Sequence, residues 1–536
     1  MNSNDRASDA PLDLLIRGGW VVDGTAYKAT QRDVGVRDGR LVVRPGVGKL
    51  TAGQVIDAAG LMVAPGFIDI HGHSDFNALM YPRADSKLLS GVTTEVSGNC
   101  GYGAFPLLGD VLDRRKSEYE HRGLKIDWQR PDEYFARAEA SPSSVNRIVL
   151  VGHENVRAAV MGYADSRADD GQIRQMAELV AEGMKAGAWG FSTGLIYSPG
   201  CFADCRELIA LARVAVEHGG YYASHIRGEG ATVLEAVDEF LTIVSESGGF
   251  GQLSHVKVAG QQNWHLFEPL KERLHRARQE GVDFLADRYP YTASSTDLGS
   301  MVLPQWAVAG TLDERLARLS DADARRRIER AIAAEKAPDF AERIMICDVQ
   351  EPDRRDTMGK RLSEVAAARG TSVVQAAFDL LLGDQMRTTC VCFTMSEEHL
   401  EQTLKWPFVM IGSDGSIHDG IGAEHGPRCH PRSYGTPARA LGTYVRERGV
   451  LSWPEAVHKL TGLPAQALGL ADRGRIADGL AADLVIFDPE TIADRARYDC
   501  PALPPAGIEY VVVNGQIAAR QGEHAGVYPG KLLRRT

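Results

Sequence analysis

The sequence lacks any uninterrupted apolar stretch of the roughly 20 residues that a membrane-spanning helix needs. Its first ten residues do not join a charged start to an apolar segment, so we expect no secretory leader. No run of Lys or Arg forms a basic patch, and the formal net charge is -11. These absences argue against nucleic acid and anionic membranes as partners, and they predict a cytoplasmic protein that acts on a small molecule. They do not indicate how many subunits assemble.

Cysteine is also scarce, with eight residues in a chain of 536. The cysteines are not arranged in the paired spacings of a disulfide framework, which predicts reduced thiols. What the sequence does have is a balanced composition of 44% hydrophobic and 24% charged residues. A chain of this length and composition can bury large cores, so we expect a globular protein.

The two chain ends share one pattern. Residues 13 to 62 contain short apolar runs separated by Gly-Gly, Asp-Gly and similar turn signals, and the same pattern returns in residues 482–489 and 508–517. Such runs predict small antiparallel sheets. We therefore expect residues 1–63 and 467–536 to pair into one β-domain.

The middle of the chain, residues 64–466, alternates apolar runs of four to eight residues with helical patterns. This alternation predicts parallel βαβ units, and the span is long enough for the eight units of a (β/α)8 barrel in an α/β protein. Residues from about 296 to 350 interrupt the alternation with a charged helix. We interpret this segment as an insertion that forms either a lid or a solvated helix pair.

Residues that bind metals recur where the apolar runs stop. His71 and His73 end the first run, and side chains at i and i+2 of a strand point to one face and can share a metal ion. Four later runs end in Cys100, His225, His255 and Asp414. Each alone could be a buried thiol, a core histidine or a loop cap. Because barrel enzymes place their sites at strand ends, the recurrence favours a metal site.

Several motifs together reveal a family resemblance. They are APGFIDIHGHSD at 64–75, GNCG at 98–101, GFSTGLIY at 190–197, SHVK at 254–257, DRYPYT at 287–292, GSDG at 412–415 and HPRSYGT at 430–436. The chain resembles the metal-dependent amidohydrolase superfamily and, within it, the N-acyl-D-amino-acid deacylases, also called D-aminoacylases. The resemblance implies a (β/α)8 barrel, a small β-sandwich built from both chain termini, and an insertion after the seventh strand.

The resemblance also implies the metal ligands. Cys100, His225 and His255 would hold one tightly bound zinc ion, and His71 and His73 would line a second, weaker position. Three protein ligands leave the fourth zinc position open, as in catalytic sites. Asp414 would accept a proton from water and then donate it to the leaving amine. We therefore expect that replacing Cys100 removes tightly bound zinc, whereas replacing His71 or His73 does not.

The substrate of such an enzyme carries a free α-carboxylate. Arg432 and Lys257 suit that group, although each could instead pair with a carboxylate of the barrel. By resemblance, Tyr289 joins them, and Tyr197 is a candidate to contact the scissile amide. The implied reaction is zinc-dependent hydrolysis of N-acyl-D-amino acids to a carboxylate and a free D-amino acid.

The substrate side chain and two alternative functions remain open at this stage. Some relatives that act on acidic D-amino acids carry an arginine in the loop after YPYT, but residues 293–306 contain no Arg or Lys. An apolar or basic side chain is therefore favoured, and Asp297 leaves room for a basic one; Glu154 has no assigned role. The alternatives are a cyclic amidase, which usually has a carboxylated lysine where this chain has Phe191-Ser-Thr-Gly, and a non-catalytic assembly protein of the same fold.

Overall fold

A computed structural model describes residues 10–422 and 429–535. Parallel strands form its centre, and every residue of the strand Val92–Ser97 is buried. Burial on both faces is typical of parallel strands that are covered by helices. In chain order these eight strands of the described ranges are Phe67–Asp69, Val92–Ser97, Asn146–Val149 continuing as Val151–Gly152, Gly190–Gly194, Tyr221–His225, Gly251–Leu253, Phe284–Arg288 and Val409–Ile411.

Hydrogen bonds lead from each central strand to the next. The first strand pairs with the second, and the second pairs with Asn146–Val149 of the third. Its continuation, Val151–Gly152, pairs with the fourth strand, and parallel pairing proceeds from there to the eighth. A parallel bridge between Gly72 and Gly415 joins the segments just beyond the first and eighth strands. The carboxyl ends of all these strands therefore lie at the same end of the assembly.

Helices connect most of the strands and pack against them in one large buried cluster. Local sequence fixes their ends: Asp169 accepts a hydrogen bond from the Gln172 backbone N–H at 2.8 Å, and Gly187 ends the helix with a φ of 115°. Within the two described ranges, residues 10–422 and 429–535, the α-helices are Asn77–Met80, Asp85–Leu88, Asp110–Tyr119, Pro131–Glu139, His153–Met161, Asp170–Ala186, Cys205–Glu217, Val233–Ser247, Phe267–Gln279, Leu298–Val302, Leu312–Ser320, Ala322–Glu335, Leu362–Arg369, Val373–Gly383, Glu397–Lys405, Arg432–Arg439, Trp453–Leu460 and Gly462–Leu468.

Strands from both chain ends share one seven-stranded sheet, as Leu484 shows by pairing with both Pro65 and Val512. Its strands, in spatial order, are Glu523–His524, Gln516–Arg520, Ile508–Val513, Leu484–Phe487, Met62–Pro65, Trp20–Val21 and Thr30–Gln31. A four-stranded sheet consists of Arg40–Val42, Val34–Arg37, Leu12–Arg17 and Ala52–Asp57. Buried side chains of both sheets share one cluster. The predicted units 1–63 and 467–536 include residues 1–9 and 536, which lie outside the described residues.

The segment between the seventh and eighth central strands is longer than the predicted insertion of 296–350. Its antiparallel sheet has Thr389–Phe393 as the middle strand, between Ala293–Asp297 and Ile344–Asp348. Val391 pairs with partners on both outer strands, so the chain must run to about residue 393 before the sheet is complete. Helices from Leu298 to Gly383 pack on this sheet around a separate buried cluster.

In the part of the chain that the structure describes, no single helix combines the length and the apolar composition needed to cross a membrane. One pair of helices, Leu362–Arg369 and Val373–Gly383, meets those two criteria only when the helices are taken together, and it is bent by 95°.

Candidate metal centre

Two histidines follow the first central strand and turn towards the space above the strand ends. The strand ends at Asp69, so His71 and His73 lie in the following loop, whereas the sequence predicts them on the strand. His73 Nε2 lies 2.9 Å from Asp414 Oδ1, and His71 Nε2 lies 3.4 Å from the same oxygen. The two rings converge because the loop, and not the alternation of a strand, directs them to Asp414.

The later ligand candidates meet at the same place. Cys100 Sγ lies 3.3 Å from His71 Nε2 and 3.6 Å from His255 Nε2. One potential ligand atom from each of His71, Cys100, His255 and Asp414 falls within a set whose members are all within 4.8 Å of one another. His225 adjoins this set, with its ring centroid 4.4 Å from that of His255. The structure therefore brings together all five predicted metal ligands and Asp414.

The chemistry of these groups fits a metal ion. Both ring nitrogens of His225 are buried and have no hydrogen-bond partner among the described residues, a state that proteins avoid unless another ligand is bound. Burial raises the pKa of the Cys100 thiol, but His71 and the other nearby imidazoles hold it well below its usual value. The thiolate is the form that binds metals. Thiolate, imidazole and carboxylate donors together are the ligands that zinc takes in proteins.

Three residues of this set have a backbone conformation that non-glycine residues rarely adopt. The φ angles are 53° for Cys100, 34° for His255 and 53° for Asp414. Such left-handed conformations cost on the order of 1–3 kcal/mol each and cluster at functional sites. The fold thus accepts strain at the residues whose side chains point at the candidate metal position.

Asp287, at the end of the seventh strand, was not assigned a role by the sequence. One of its oxygens lies 3.0 Å from His71 Nδ1, and it accepts hydrogen bonds from the His255 backbone N–H at 2.9 Å and from Gln252 Nε2 at 2.7 Å. Burial alone would raise the pKa of Asp287, but the charge and hydrogen bond of His71 lower it by more. The pKa is therefore below its usual value, and the group stays a carboxylate. It therefore holds the His71 ring with Nε2 facing Cys100, the usual role of a carboxylate behind a metal-binding histidine.

Glu229 is the second residue that the sequence did not identify. Its carboxylate lies 2.9 Å from His255 Nδ1 and 3.8 Å from His225 Nε2, and it forms an ion pair with Lys257. His225, Glu229 and His255 form a second group of potential ligands. The only sequence signal is its place four residues after His225, at the same strand end.

The residues predicted to bind the substrate carboxylate are already paired with carboxylates. Lys257 contacts Glu229, and Arg432 Nη1 lies 2.6 Å from Asp414 Oδ2. These are the ion pairs that formed the alternative prediction for both residues. Each side chain nevertheless lines the cavity beside the metal ligands, so a substrate carboxylate would meet two cations there.

Two tyrosines complete the predicted substrate site. Tyr289 is fully buried between Lys257 and Arg432, whose charged groups lie 5.9 Å and 4.8 Å from its ring centroid. The Tyr289 hydroxyl has no hydrogen-bond partner in the described chain. The Tyr197 hydroxyl lies 3.0 Å from Thr296 Oγ1. Both tyrosines line the same cavity, which has a volume of about 430 Å³.

Asp297 and Glu154 occupy different positions. Asp297 lines the cavity, but both of its carboxylate oxygens accept hydrogen bonds, at 2.7 Å, from the backbone N–H and hydroxyl of Ser300. It caps the helix Leu298–Val302. Glu154 is buried and pairs with Arg114 at 3.2 Å, and it does not line this cavity.

Comparison with known proteins gives this geometry a class. Residues 54–519 match the model of the amidohydrolase family, and the chain belongs to that family. It is 36% identical to the N-acyl-D-glutamate deacylase of Alcaligenes xylosoxydans xylosoxydans over 524 residues, which are 98% of this chain and 97% of that protein.

Two solved structures show the same similarity. One is the N-acyl-D-glutamate deacylase of Bordetella bronchiseptica, complexed with zinc and a phosphonate inhibitor that mimics the tetrahedral intermediate; it has a TM-score of 0.82 and 34% identity. The other is a D-aminoacylase with a binuclear metal centre, with a TM-score of 0.82 and 33% identity. Each similarity covers 98% of this chain and 100% of the other. The family resemblance predicted from the motifs is confirmed, and the protein is a hydrolase with a metal-binding site.

Proposed function

We propose that this protein is a zinc-dependent deacylase that hydrolyses the amide bond of N-acyl-D-amino acids to a carboxylate and a free D-amino acid. One observation carries the proposal: Cys100 and the buried His71, His225 and His255 cluster around Asp414, which lines one cavity together with the cations Lys257 and Arg432. The relatives named above act on N-acyl-D-glutamate or are named D-aminoacylase, which supports the D configuration. A small-molecule substrate and a cytoplasmic location belong to the same proposal.

The proposed frame for this site is a closed (β/α)8 barrel of residues 64–466, with residues 1–63 and 467–536 as a β-sandwich. Stepwise parallel pairing and the Gly72–Gly415 bridge support the closure. In such barrels the active site lies at the carboxyl ends of the strands, which is where Cys100, His225, His255 and Asp414 lie.

The proposed ligands of one tightly bound zinc ion are Cys100, His225 and His255, and His71 and His73 would line a second, weaker position. When bound, zinc supplies a Lewis acid that polarises the amide carbonyl and lowers the pKa of water towards about 7. Two observations support this assignment: the ring nitrogens of His225 make no hydrogen bond among the described residues, and the pKa of the Cys100 thiol is held well below its usual value.

Asp414 performs the proton transfers in this proposal. Burial alone would raise its pKa, but Arg432, His255 and His71 hold the pKa well below its usual value, so the group is a carboxylate, the form that accepts a proton. Asp414 takes one proton from the attacking water as the C–O bond forms at the acyl carbon. It then gives that proton to the amide nitrogen as the C–N bond breaks. The water oxygen ends in the carboxylate product, and the nitrogen leaves as an amine.

The remaining residues hold the substrate. Lys257 and Arg432 face its α-carboxylate, the free Tyr289 hydroxyl donates to the same group, and Tyr197 contacts the amide. The loop 293–306 has no Lys or Arg, and Met301 lines the cavity. An apolar or basic substrate side chain is therefore favoured over an acidic one at this position.

A hydrolysis screen tests the function. Purified protein with added zinc is offered N-acetyl-D- and N-acetyl-L-amino acids, hydantoins and dihydroorotate, and release of amine or ring opening is measured. We expect turnover of N-acetyl-D-amino acids. Turnover confined to the cyclic amides would establish the cyclic-amidase alternative. No turnover, together with no stoichiometric zinc, would establish the non-catalytic alternative.

A further inference from the structure

A second cavity, which we call the outer chamber, adjoins the metal cavity. Its volume is about 640 Å³. Several residues line both spaces, among them Tyr102, Tyr197, Asp297 and Asp348. The ring centroids of Tyr102 and Tyr197 lie 5.3 Å apart, so the two rings are in contact, and we call this pair, which lines both spaces, the neck. An N-acetyl group alone would leave the outer chamber unused.

The direction of the acyl chain follows from the shape of an amide. Lys257 and Arg432 converge on the Tyr289 ring, so the α-carbon of the substrate lies towards that side. The neck lies beside other members of the metal cluster: the Tyr102 ring centroid is 6.4 Å from that of His73, and the Tyr197 ring centroid is 5.2 Å from that of His225. A trans amide places its two substituent carbons on opposite sides of the C–N bond. The acyl chain therefore points away from the α-carboxylate, towards the neck and the outer chamber.

The outer chamber contains a buried cation with free hydrogen-bond donors. Arg315, on the helix Leu312–Ser320 of the insertion, is only 8% exposed and lines the chamber. Its Nε donates to the Gly310 carbonyl at 2.9 Å. Its terminal nitrogens have no hydrogen-bond or ion-pair partner within residues 10–422 and 429–535. A buried guanidinium without an anion is costly, so this group suits an anionic part of a ligand.

Neighbouring groups hold this cation in place and leave it unpaired. Arg315 and Arg114 both lie against the Tyr163 ring, with guanidinium carbons 5.2 Å and 5.7 Å from its centroid. Arg114 pairs with Glu118 at 2.9 Å and with Glu154 at 3.2 Å. Glu154, which had no assigned role, therefore positions Arg114.

The carboxylates around the chamber do not neutralise Arg315 by direct contact. Both oxygens of Asp297 are engaged by Ser300, and Asp348 accepts a hydrogen bond from Gln350 Nε2 at 2.6 Å. The carboxylates at the outer rim are exposed, and water and salt screen exposed charges. These rim residues are Asp110, Asp113 and Asp313.

We propose that the outer chamber binds the terminal carboxylate of a dicarboxylic acyl group, with Arg315 as its partner. The substrate class is then N-(ω-carboxyacyl)-D-amino acids, in which a chain of succinyl length or longer extends alongside the neck into the outer chamber. A guanidinium can hold such a carboxylate through two parallel hydrogen bonds. This inference rests on the proposed deacylase function, and it gives the insertion a role in selecting the acyl group.

Matched substrates test the proposal. The zinc-loaded protein is assayed with N-succinyl-, N-glutaryl- and N-adipyl-D-leucine and with the neutral N-butyryl, N-valeryl and N-hexanoyl counterparts. We expect kcat/KM to favour the acid by about tenfold or more for at least one chain length, and Arg315→Gln to abolish that ratio. Arg315→Lys retains part of it. The control is Arg326→Gln, on the exposed face of the next helix, which leaves the ratio unchanged.

Several results would overturn the proposal. They are a ratio of one or less at every chain length, and a ratio that survives in a folded Arg315→Gln protein. If Arg315 instead governs N-acetyl-D-glutamate against N-acetyl-D-norvaline, the anion belongs to the side chain and the acyl assignment is wrong. If no compound is hydrolysed, the deacylase function fails. In that case, calorimetry measures the binding of N-succinyl- and N-butyryl-D-leucine to the zinc-loaded native and Arg315→Gln proteins. This measurement tests the acyl-group proposal independently of hydrolysis.

Discussion

Replacing Asp287 by asparagine tests whether the carboxylate behind His71 organises the metal centre. Asp287 lies 3.0 and 3.1 Å from His71 Nδ1 through its two oxygens, and it accepts from the His255 backbone N–H and from Gln252 Nε2. An asparagine at this position keeps one acceptor oxygen, and its amide group must face a donor. The substitution therefore disturbs the contacts that position His71 and His255, while both histidine side chains are themselves unchanged.

The expected magnitude follows from these contacts. At least one charge-assisted hydrogen bond is lost, which costs about 1.5–3 kcal/mol of folding stability. Mutation of a carboxylate behind a metal-binding histidine typically lowers metal affinity or activity by roughly 10- to 100-fold. In free energy this is about 1.4–2.7 kcal/mol. We expect Asp287→Asn to weaken zinc binding within that range at the second position, which His71 lines.

Competition with a chromogenic chelator measures the zinc affinity of both proteins. Asp384→Asn is a matched control, because Asp384 is also fully buried and accepts hydrogen bonds at 2.9 Å from the Gln350 backbone, the Glu351 backbone and the Thr388 hydroxyl within the insertion. The control should lose stability and keep its zinc affinity. Native zinc affinity in Asp287→Asn would refute the reasoning.

Other changes have equally definite outcomes. Cys100→Ser should reduce tightly bound zinc from about one equivalent towards zero, whereas His73→Asn should retain it; elemental analysis after dialysis distinguishes the two. Glu207→Gln leaves the fully buried Arg157 without its ion pair and should cost about 3–5 kcal/mol in denaturant unfolding. Burial lowers the pKa of Lys459 from 10.5 to about 8. Between pH values of about 8 and 10.5, the unfolded chain therefore binds more protons than the folded chain. The stability of the native protein relative to Lys459→Met should therefore rise with pH across that window, by on the order of 3 kcal/mol, and a flat pH profile would contradict this.

The cluster of candidate metal ligands could be predicted from the sequence because each candidate stands where an apolar run stops. In a parallel sheet those positions meet at one end, so Cys100, His225, His255 and Asp414 converge even though the sequence places them far apart. Local signals also define helix ends: the helix Asp170–Ala186 begins at a capping box formed by Asp169 and Gln172 and ends at Gly187.

Contacts between distant segments were not predictable in the same way. Asp287 and His71 are 216 residues apart, and no local pattern indicates that they pair. The insertion was predicted too short because its middle strand, Thr389–Phe393, lies almost 100 residues after its first partner, Ala293–Asp297. Arg315 appears in the sequence as one charge on an amphipathic helix, and only the packing of the insertion turns it towards the outer chamber.

The most direct test of the central claim is Asp414→Asn, measured for zinc content and for turnover of an N-acetyl-D-amino acid in the same preparation. If Asp414 transfers the proton between water and the leaving nitrogen, the variant keeps its zinc and loses turnover by at least about 100-fold. Turnover at the native rate in a zinc-loaded Asp414→Asn protein would contradict the proposed mechanism.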